Sequence, residues 1–286
     1  MIYLNCPFSE KEECKSLGGK WDPDQKKWYI PDGTNTDKFK KWIVDQPNDN
    51  IIEHNKTNSI IELSPSSLDY QVVKCPRCFY LEKINKIKVD GHIPPVFSTL
   101  DVIQQNYFKN LNTTNLSKHI PSGKIMNKDE LPGRVVSTIM QDSKGREFIL
   151  GGRPDIVINF DKPGYGIIDF KTTKFSEDKA EHYRYQLEAY AQIFTNPGSI
   201  KKGPTPKLEP IIEIGILQFS PKIMSGHKGD ICSVDFDMAY VSLDRNVEDF
   251  YKRVELVIDV LSKDNPPNFN ENCKSCEFVK YQASNK

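Results

Sequence analysis

The segment GGRPDIVINFDKPGYGIIDFKTTKF, residues 151–175, places charged side chains inside apolar runs. Asp155 and Asp169 stand among aliphatic residues, and Lys171 follows Asp169 by two positions. Between the runs, DKPGYG has the proline–glycine chemistry of a turn, which predicts an antiparallel hairpin. Because side chains alternate between the two faces of a strand, a hairpin folded about Lys162 brings all three charged groups to one face.

This arrangement predicts a site for a divalent cation. Two facing carboxylates in apolar surroundings repel each other unless a proton or a cation lies between them. Mg²⁺ or Mn²⁺ prefers such oxygen ligands, and a bound ion can hold a scissile phosphate and lower the pKa of a water. Lys171 would then orient that water or stabilise the developing negative charge. A structural Asp–Lys pair on a solvated sheet face is the alternative interpretation.

Three motifs in order, GGRPDIVI, IIDFKTT and YRYQLEAYA, resemble the PD-(D/E)XK nuclease superfamily in its RecB-like branch, over roughly residues 61–280. The resemblance implies DNA as the substrate and a restriction-endonuclease-like core. Residue by residue, it implies a first metal-binding acid, a second one, a catalytic lysine and two helix residues bordering the active site, at Asp155, Asp169, Lys171, Gln186 and Tyr190.

An earlier helix is expected to carry one more ligand, because this branch usually has an acid there, often with a histidine. The segment PPVFSTLDVIQQNYF offers Asp101 and no aligned histidine, so Asp101 is the candidate extra metal ligand. The alternative is an acid near a helix start that the helix dipole favours. His92 and His119 lie in loop-like sequence and are expected to be surface residues.

Two C-x-x-C motifs stand far apart, CPRC at Cys75 and Cys78 and CKSC at Cys273 and Cys276. Together they predict a closed four-sulfur site for zinc or an iron–sulfur cluster, with buried or unpaired thiols as the alternative. RecB-like nucleases with iron–sulfur clusters use one early and three late cysteines, whereas this chain has two and two. The resemblance favours [4Fe-4S] over Zn²⁺, in a structural role that closes a long loop. The remaining cysteines are expected to be ordinary thiols, at Cys6, Cys14 and Cys232.

The chain divides into a small α+β domain at residues 1–45, a polar linker at 46–60 and a nuclease-like domain at 61–286. In the small domain, SEKEECKSLGG is expected to form a short helix capped by Ser9, and NTDKFKKWIVD a closing helix. The small domain resembles an uncharacterised domain of the pattern YLNVPF…WD…KxWY that is found with DNA-processing enzymes. That resemblance implies an accessory role near nucleic acid and other DNA-processing proteins as partners. A solvated lysine face around an aromatic core is the alternative.

Hydrophobic periodicity and turn signals predict helices and strands along the larger domain. One helix is expected to be capped by Ser64 or Ser66 and to run through Cys75 towards Lys83. Further helices are predicted over STLDVIQQNYFKNL, EDKAEHYRYQLEAYAQIF and NVEDFYKRVELVIDVLSK, and strands over GREFILGG, RPDIVINF, YGIIDFKTT, PIIEIGILQFSPK and ICSVDFDMAYVSL. This order of elements predicts an α/β core with a central mixed sheet flanked by helices.

The composition is that of an ordinary globular protein, with 37% hydrophobic and 27% charged residues. A net charge of zero excludes nucleic-acid binding through an overall positive field. With neither a signal peptide nor a membrane span recognised, the expected location is cytoplasmic and no membrane partner is expected. The leading hypothesis is a Mg²⁺-dependent deoxyribonuclease, with endo- or exonucleolytic cutting left open. The alternatives are a catalytically inactive nucleic-acid-binding module and a metal-stapled scaffold.

Overall fold

The structure is a computed structural model that describes residues 2–4, 6–7, 10–23, 27–31, 34–39, 41–42, 60–69, 71–87, 94–109, 111–127, 129–200 and 203–284. The chain forms two compact units, Met1–Thr57 and Asn58–Lys286. The predicted linker lies outside the described residues except for Ile60, and so do Ser9, expected to cap the first helix, and His92. His119 is exposed, as expected.

The first unit is a three-stranded antiparallel sheet with one described α-helix. Its elements are β1 (Ile2–Leu4), α1 (Lys11–Ser16), β2 (Lys20–Asp22) and β3 (Lys27–Ile30), in the sheet order β1-β3-β2. Its core is a small apolar cluster built from Leu4, Cys14, Ile30, Phe39 and Trp42. In so short a unit, large aromatic side chains must supply much of the buried area.

The closing helix predicted over NTDKFKKWIVD is, within the described residues, a 3₁₀ helix at Thr36–Phe39. The predicted closing helix is therefore present over these residues, in the tighter 3₁₀ form. In a 3₁₀ helix, residues three apart lie on one line. Phe39 and Trp42, three positions apart, are both buried in the core of this unit, and that spacing suits the tighter turn.

The second unit is an α/β core. Its described helices are α2 (Gln71–Lys74), α3 (Pro76–Lys83), α4 (Pro95–Phe108), α5 (Glu177–His182), α6 (Arg184–Thr195), α7 (Val247–Leu261) and α8 (Lys274–Ser284). Its described strands are β4 (Ile61–Leu63), β5 (Gly123–Ile125), β6 (Val135–Val136), β7 (Met140–Gln141), β8 (Glu147–Gly152), β9 (Ile156–Phe160), β10 (Tyr165–Thr172), β11 (Ser199–Ile200), β12 (Gly203–Pro204), β13 (Ile211–Lys228) and β14 (Ile231–Leu243).

The central sheet has the order β14-β13-β10-β9-β5. Strands β10 and β13 are parallel, and the other neighbours are antiparallel, so the sheet is mixed as predicted. A second sheet has the order β4-β8-β6, with β7 also paired to β8. The chain passes from the second sheet to the central one between β8 and β9, at residues 153–155.

Two apolar cores lie on opposite faces of β10. Ile167 belongs to the larger core, with Leu187 and Phe194 of α6 and Val254 of α7. Ile168 and Phe170 belong to the smaller core, which also contains Phe108 of α4. Alternation along the strand therefore directs Asp169 to the side on which α6 packs.

Two predicted helices are interrupted. The helix expected to run through Cys75 stops there, because Cys75 has extended backbone and acts as the N-cap of α3, with Pro76 in its first turn. A proline is favoured at this position because it has no N–H to satisfy. The helix predicted over EDKAEHYRYQLEAYAQIF is divided into α5 and α6 at Tyr183, which ends α5 and caps α6.

The remaining helices and strands either match a predicted segment or had not been predicted from the sequence. Helices α4 and α7 and strands β8, β10 and β14 lie where they were expected, within a few residues at their ends. Strand β13 also begins where expected, but it continues to Lys228, whereas the predicted segment ends at Lys222. Helix α8 and the short strands β4, β5, β6 and β7 were not predicted. In the described residues, no helix combines the length and the apolar character that crossing a bilayer requires.

Candidate active site and four-cysteine cluster

The acidic hairpin forms as the sequence predicts. Strands β9 and β10 pair antiparallel from Tyr165↔Asn159 to Ile168↔Ile156. Asp155 lies one position before β9, so the strand begins later than the predicted RPDIVINF. Pro154 offers no backbone N–H for a sheet. Instead, the Asp155 carboxylate continues the contact between the strands, because its Oδ2 accepts the backbone N–H of Phe170 at 2.8 Å.

Helix α6 fixes the chain just before Asp155. The Tyr190 hydroxyl donates a hydrogen bond of 2.7 Å to the carbonyl oxygen of Arg153. The approach is close: a Cβ at Gly152 would lie 2.8 Å from Pro65 Cδ and 3.0 Å from Tyr190 Cε1. Glycine at this position therefore allows Tyr190 to hold the passage between the two sheets, and Asp155 follows directly.

Asp169 is held from two sides. Gln186 of α6 donates an amide hydrogen bond of 2.7 Å to Asp169 Oδ1. Lys171 Nζ lies 2.5 Å from Oδ2, yet that buried oxygen receives no hydrogen bond of normal geometry. Lys171 Nζ also lies 4.6 Å from the ring centroid of Tyr183. Asp169 and Lys171 thus share one face of β10, as the alternation predicted.

Helix α4 brings a third carboxylate to the hairpin. Phe108 at its end packs against the rings of Phe170 and Phe219, with centroids 5.7 and 5.9 Å away. Two turns earlier on the same helical face, Asp101 accepts hydrogen bonds from Gln105 Nε2 at 3.1 Å to each carboxylate oxygen. The same nitrogen donates to Asp155 Oδ1 at 2.9 Å. One amide group therefore bridges two carboxylates.

Burial and mutual repulsion perturb the ionisation of these groups. Burial, followed by the negative charge of Asp169, raises the pKa of Asp155 to about 8. Burial also raises the pKa of Asp101, against the hydrogen bond from Gln105. Burial alone would lower the pKa of Lys171, but the Asp169 carboxylate outweighs it and raises that pKa, so the lysine remains a cation. If all three carboxylates ionised, they would carry more negative charge than this lysine balances, and in the ion-free centre Asp155 takes up a proton instead.

The donor set fits a hard divalent cation. Carboxylate oxygens of Asp155, Asp169 and Asp101 are the ligands that Mg²⁺ and Mn²⁺ prefer. Asp169 pairs with Lys171, and its charge also acts on Asp155 and Asp101, so the three carboxylates lie close enough to repel one another. The raised pKa of Asp155 also favours a bound cation, because either a proton or a cation relieves the repulsion between the carboxylates.

The four cysteines of the two C-x-x-C motifs come together, although Cys75 and Cys276 are 201 positions apart. Their four sulfur atoms all lie within 4.8 Å of one another. Cys75 Sγ is 3.5 Å from Cys276 Sγ, and Cys78 Sγ is 3.6 Å from Cys273 Sγ and 3.8 Å from Cys276 Sγ. Cys78 is partly buried and the other three are buried.

The ionisation of these thiols differs along the cluster. Burial raises the pKa of Cys75 and of Cys78. Burial opposes ionisation of Cys273 as well, but hydrogen bonds from the backbone N–H of Cys276 and from neighbouring thiols lower its pKa to about 7. Of these three thiols, Cys273 therefore forms a thiolate most readily when no ion is bound.

Polar contacts around the cluster tie α3 to the chain before α8. Arg77 donates to the carbonyl of Pro267 at 2.9 Å, and its guanidinium lies 4.0 Å from the ring centroid of Phe269. Asn270 donates to the carbonyl of Lys74 at 2.7 Å. These contacts position the two cysteine pairs facing each other. Of the other thiols, Cys14 is buried, Cys6 is intermediate and Cys232 is exposed.

Two glutamines near the acidic centre were missed by the sequence analysis. Gln105 bridges two carboxylates, as described above. Gln218 of β13 lies opposite Lys171 in the parallel register of β10 and β13, and its amide group pairs with the backbone of Ser176. The available signal was spacing: Gln105 follows Asp101 by four positions and therefore shares its helical face.

Comparison with known proteins agrees with this geometry. Residues 124–281, more than half of the chain, match the model of the PD-(D/E)XK nuclease superfamily. The chain therefore belongs to the PD-(D/E)XK nuclease superfamily. Its members generally use Mg²⁺ or Mn²⁺.

The N-terminal segment matches other proteins. Residues 1–43 match a domain of unknown function, DUF5710. Two proteins called DNA primase TraC, both from Escherichia coli, are 52% and 50% identical over 40 residues, which is 14% of this chain. The match spans only 3% and 4% of the length of these relatives.

A solved structure titled "Crystal structure of SSO0001" is 17% identical, with a TM-score of 0.45, over 78% of this chain and 86% of that one.

Proposed function

We propose that the chain is a metal-dependent nuclease of the RecB-like branch that hydrolyses DNA phosphodiester bonds at the acidic centre. The observation that carries this proposal is the convergence of three carboxylates beside one lysine. Gln105 bridges Asp101 and Asp155, and Lys171 pairs with the buried Asp169. Membership of the superfamily makes DNA the expected substrate.

Each side chain has a definite role in this proposal. Asp155 and Asp169, with Asp101 as a third donor, hold Mg²⁺ or Mn²⁺. When bound, the ion polarises the scissile phosphate and lowers the pKa of the attacking water. Lys171 keeps its proton and donates to that water or to the phosphate oxygen that gains charge as the water attacks phosphorus and the ester P–O bond breaks. Gln186 orients Asp169, and Tyr190 fixes the chain that carries Asp155.

A cutting assay tests the proposal with a matched control. The full chain is incubated with single- and double-stranded DNA and Mg²⁺ or Mn²⁺, beside Lys171→Ala and Lys162→Ala. Lys162 is an exposed lysine in the turn of the same hairpin. We expect Lys171→Ala to abolish cutting and Lys162→Ala to preserve it. Cutting that is unchanged in Lys171→Ala contradicts the proposal, and no cutting by the unmodified chain favours an inactive binding module or a scaffold.

For the four-cysteine cluster, we propose a structural metal site that holds a single Zn²⁺ ion in preference to the [4Fe-4S] cluster that the resemblance implied. Sulfur–sulfur distances of 3.5, 3.6 and 3.8 Å support this choice. A tetrahedral ion with Zn–S bonds of about 2.3 Å requires thiolates ~3.8 Å apart. A [4Fe-4S] cluster would place a cube of iron and sulfide between the thiolates, which separates them further.

Metal analysis of the anaerobically purified chain tests the ion at the cysteines. We expect about one zinc per chain and no broad absorption near 400 nm. Four irons per chain with a brown colour would contradict the zinc assignment without affecting the proposed nuclease activity.

We also propose a cytoplasmic location, because a reducing compartment keeps the four thiols available for a metal.

The first unit is proposed to be an accessory module near nucleic acid. Its likeness to segments of proteins named as DNA primases supports this role and favours other DNA-processing proteins as partners. We also propose that the two domains span residues 1–45 and 61–286 and that residues 46–60 link them.

A further inference from the structure

The polar side chains of helix α4 face the interior of the second unit. Two residues of this fully described helix are buried, Gln104 and Phe108. Gln104 donates to the Thr172 hydroxyl of β10 at 3.1 Å, and Gln105 donates to the Asp155 carboxylate at 2.9 Å. The side of α4 that faces the hairpin therefore carries amide groups, a carboxylate and one aromatic ring.

The apolar side chains of α4 lie mainly in solvent. Five of them are between 44% and 70% exposed, namely Val96, Phe97, Val102, Ile103 and Tyr107. A surface helix normally directs its apolar stripe towards the core and its polar residues towards water. Helix α4 has the reverse arrangement. Contiguous exposed apolar surface of this kind typically marks an interaction site, so the outer face of α4 is a surface for a partner.

Four apolar residues of α4 form one continuous stripe. Val96, Leu100, Ile103 and Tyr107 follow one another at spacings of four, three and four positions, which is the pattern of a coiled-coil seam. Leu100 is half-buried and the other three are exposed. At 1.5 Å per residue, the stripe is about 16 Å long. Because each residue advances the helix by about 100°, Ile103 lies on the side opposite Gln105, and the stripe points away from the acidic centre.

Charge narrows the kind of partner that fits this stripe. Between Pro95 and Phe108 the sequence has no lysine or arginine, and its one acid, Asp101, is hydrogen-bonded to Gln105 on the inner side. DNA phosphates and anionic lipid headgroups attract basic side chains, so neither suits the stripe. An uncharged apolar helix does suit it. A second copy of the same stripe offers that surface, with no like charges to oppose contact.

We propose that two copies of the chain form a dimer in which their α4 helices pack antiparallel about a two-fold axis that passes between Leu100 and Ile103. Val96 then faces Tyr107 of the partner subunit, so a small side chain meets a large one at each end. A parallel pair would instead set the two tyrosine rings against each other. The antiparallel pair also opposes the two helix dipoles, which is the favourable arrangement.

The area of the stripe is sufficient for such a dimer. Side chains of this size expose roughly 100 Å² each, so two copies would bury on the order of 1,000 Å², the lower end of the range for specific interfaces. We therefore expect a reversible dimer with a micromolar dissociation constant. Since the stripe points away from the acidic centre, both centres stay open in the dimer.

Sedimentation velocity of the full chain over a concentration series tests the dimer. We expect Ile103→Glu to raise the dissociation constant at least about a hundredfold, because it places two carboxylates close to the two-fold axis. Ile223→Glu is the matched control, since Ile223 of β13 is 59% exposed and Ile103 is 57% exposed. This control should change the constant by less than about twofold. Thermal melting should show that both variants, altered at exposed positions, remain folded.

A pair of double variants tests the antiparallel arrangement. Val96→Lys with Tyr107→Glu places opposite charges face to face across the proposed dimer, whereas Val96→Lys with Tyr107→Lys places like charges there. Within one helix the two positions are about 16 Å apart and cannot pair. We expect the first variant to dimerise roughly tenfold more tightly than the second, with a smaller difference at high salt. In a parallel pair both variants would set like charges together and bind equally weakly.

The inference is overturned if the unmodified chain stays monomeric up to about 100 μM, since the stripe would then be left to a helix of another protein. It is also overturned if Ile103→Glu dimerises as the unmodified chain does, or if Ile223→Glu weakens the dimer equally. Equal dissociation constants for the two double variants reject the antiparallel arrangement. These outcomes are independent of the cutting assay, because none of the substituted residues belongs to the acidic centre.

Discussion

The acidic centre and the four-cysteine cluster are both built from groups that bind metal ions, but their ligands are arranged differently. In the acidic centre, Asp169 pairs with Lys171, and Asp155 and Asp101 share one amide group. In the cluster, four sulfurs enclose one point within 4.8 Å of one another. Catalytic metal sites keep open positions, whereas structural sites are closed by protein ligands. This difference agrees with the proposed roles, chemistry for the first region and stability for the second.

The largest expected effect is the loss of hydrolysis when the acidic centre loses a charge. Asp169→Asn keeps an acceptor for Gln186 but removes a ligand, so we expect cutting to fall on the order of a thousandfold, as losing several kcal/mol of metal assistance predicts. Losing that charge also relieves the repulsion on Asp155, whose carboxylate can then ionise and balance Lys171, so the unfolding midpoint should change by less than about 5 °C. Single-turnover cleavage and thermal melting measure both. If Asp169→Asn unfolds at the assay temperature, the contrast between a catalytic acidic centre and a structural cysteine cluster is contradicted.

The cluster should respond in the opposite way. Cys276→Ser removes one of four thiolates, so we expect loss of the bound metal and an unfolding midpoint lower by roughly 10 °C or more, because metal binding contributes directly to folding. Metal analysis, thermal melting and limited proteolysis of α8 check this result. Cys232→Ser, at an exposed thiol outside the cluster, is the control and should have no effect. Full metal content in Cys276→Ser would contradict the proposal that the four cysteines hold the metal.

A pH dependence sharpens the description of the acidic centre. The folded pKa of Asp155 is raised to about 8, so below that pH a proton occupies a group that the ion needs. Mn²⁺ affinity should therefore rise between pH 6 and pH 8, by roughly tenfold or more, and level off above pH 8. Calorimetric titration of Mn²⁺ at several pH values provides the measurement.

The ion-free protein should show the opposite trend in stability. A raised carboxyl pKa stabilises the fold at low pH, and that contribution is lost as the pH rises towards 8. Asp155→Asn should remove both trends. If the variant retains the full pH dependence of Mn²⁺ affinity, another group carries the proton.

The smallest expected effect concerns Gln105. Its amide nitrogen holds the carboxylates of Asp101 and Asp155 together, and Gln105→Leu keeps the volume but leaves the two acids to repel each other. Because the two carboxylates are then no longer held in place for the ion, we expect Mn²⁺ affinity to fall about fivefold, comparable to the ~1 kcal/mol of a typical intramolecular hydrogen bond. Gln104→Leu is a neighbouring comparison, since Gln104 donates to Thr172 and not to a carboxylate. Equal effects on Mn²⁺ affinity would show that the bridge has no special role.

The two regions also differ in how far the sequence predicts them. The hairpin could be predicted because alternation and turn chemistry are local, and they place Asp169 and Lys171 on one face. Helix α4 was predicted as a helix, but its approach to Asp155 depends on Phe108 packing against Phe170 and Phe219. Those contacts join distant parts of the chain and leave no periodic signal, so the bridge made by Gln105 could not be predicted.

For the cysteines, the two C-x-x-C motifs predicted a shared site but not its dimensions. The sulfur spacing is set by Cys75 acting as the N-cap of α3 and by contacts such as that of Asn270 with Lys74, which are tertiary features. Helix α8 was missed although its residues adjoin the second motif. The break at Tyr183 was missed because the apolar stripe of α6 was extended backwards through α5.

The cysteine cluster also determines how the second unit bears mechanical load. It connects the chain near Cys75 with the chain near Cys276, close to the start and the end of this unit. With an ion bound, tension applied at both ends passes through metal–sulfur bonds and not through the sheet that carries the acidic hairpin. An unfolding motor that pulls on the C-terminal end would therefore meet its main resistance at the cysteines, before any hydrogen bond of β10 is strained.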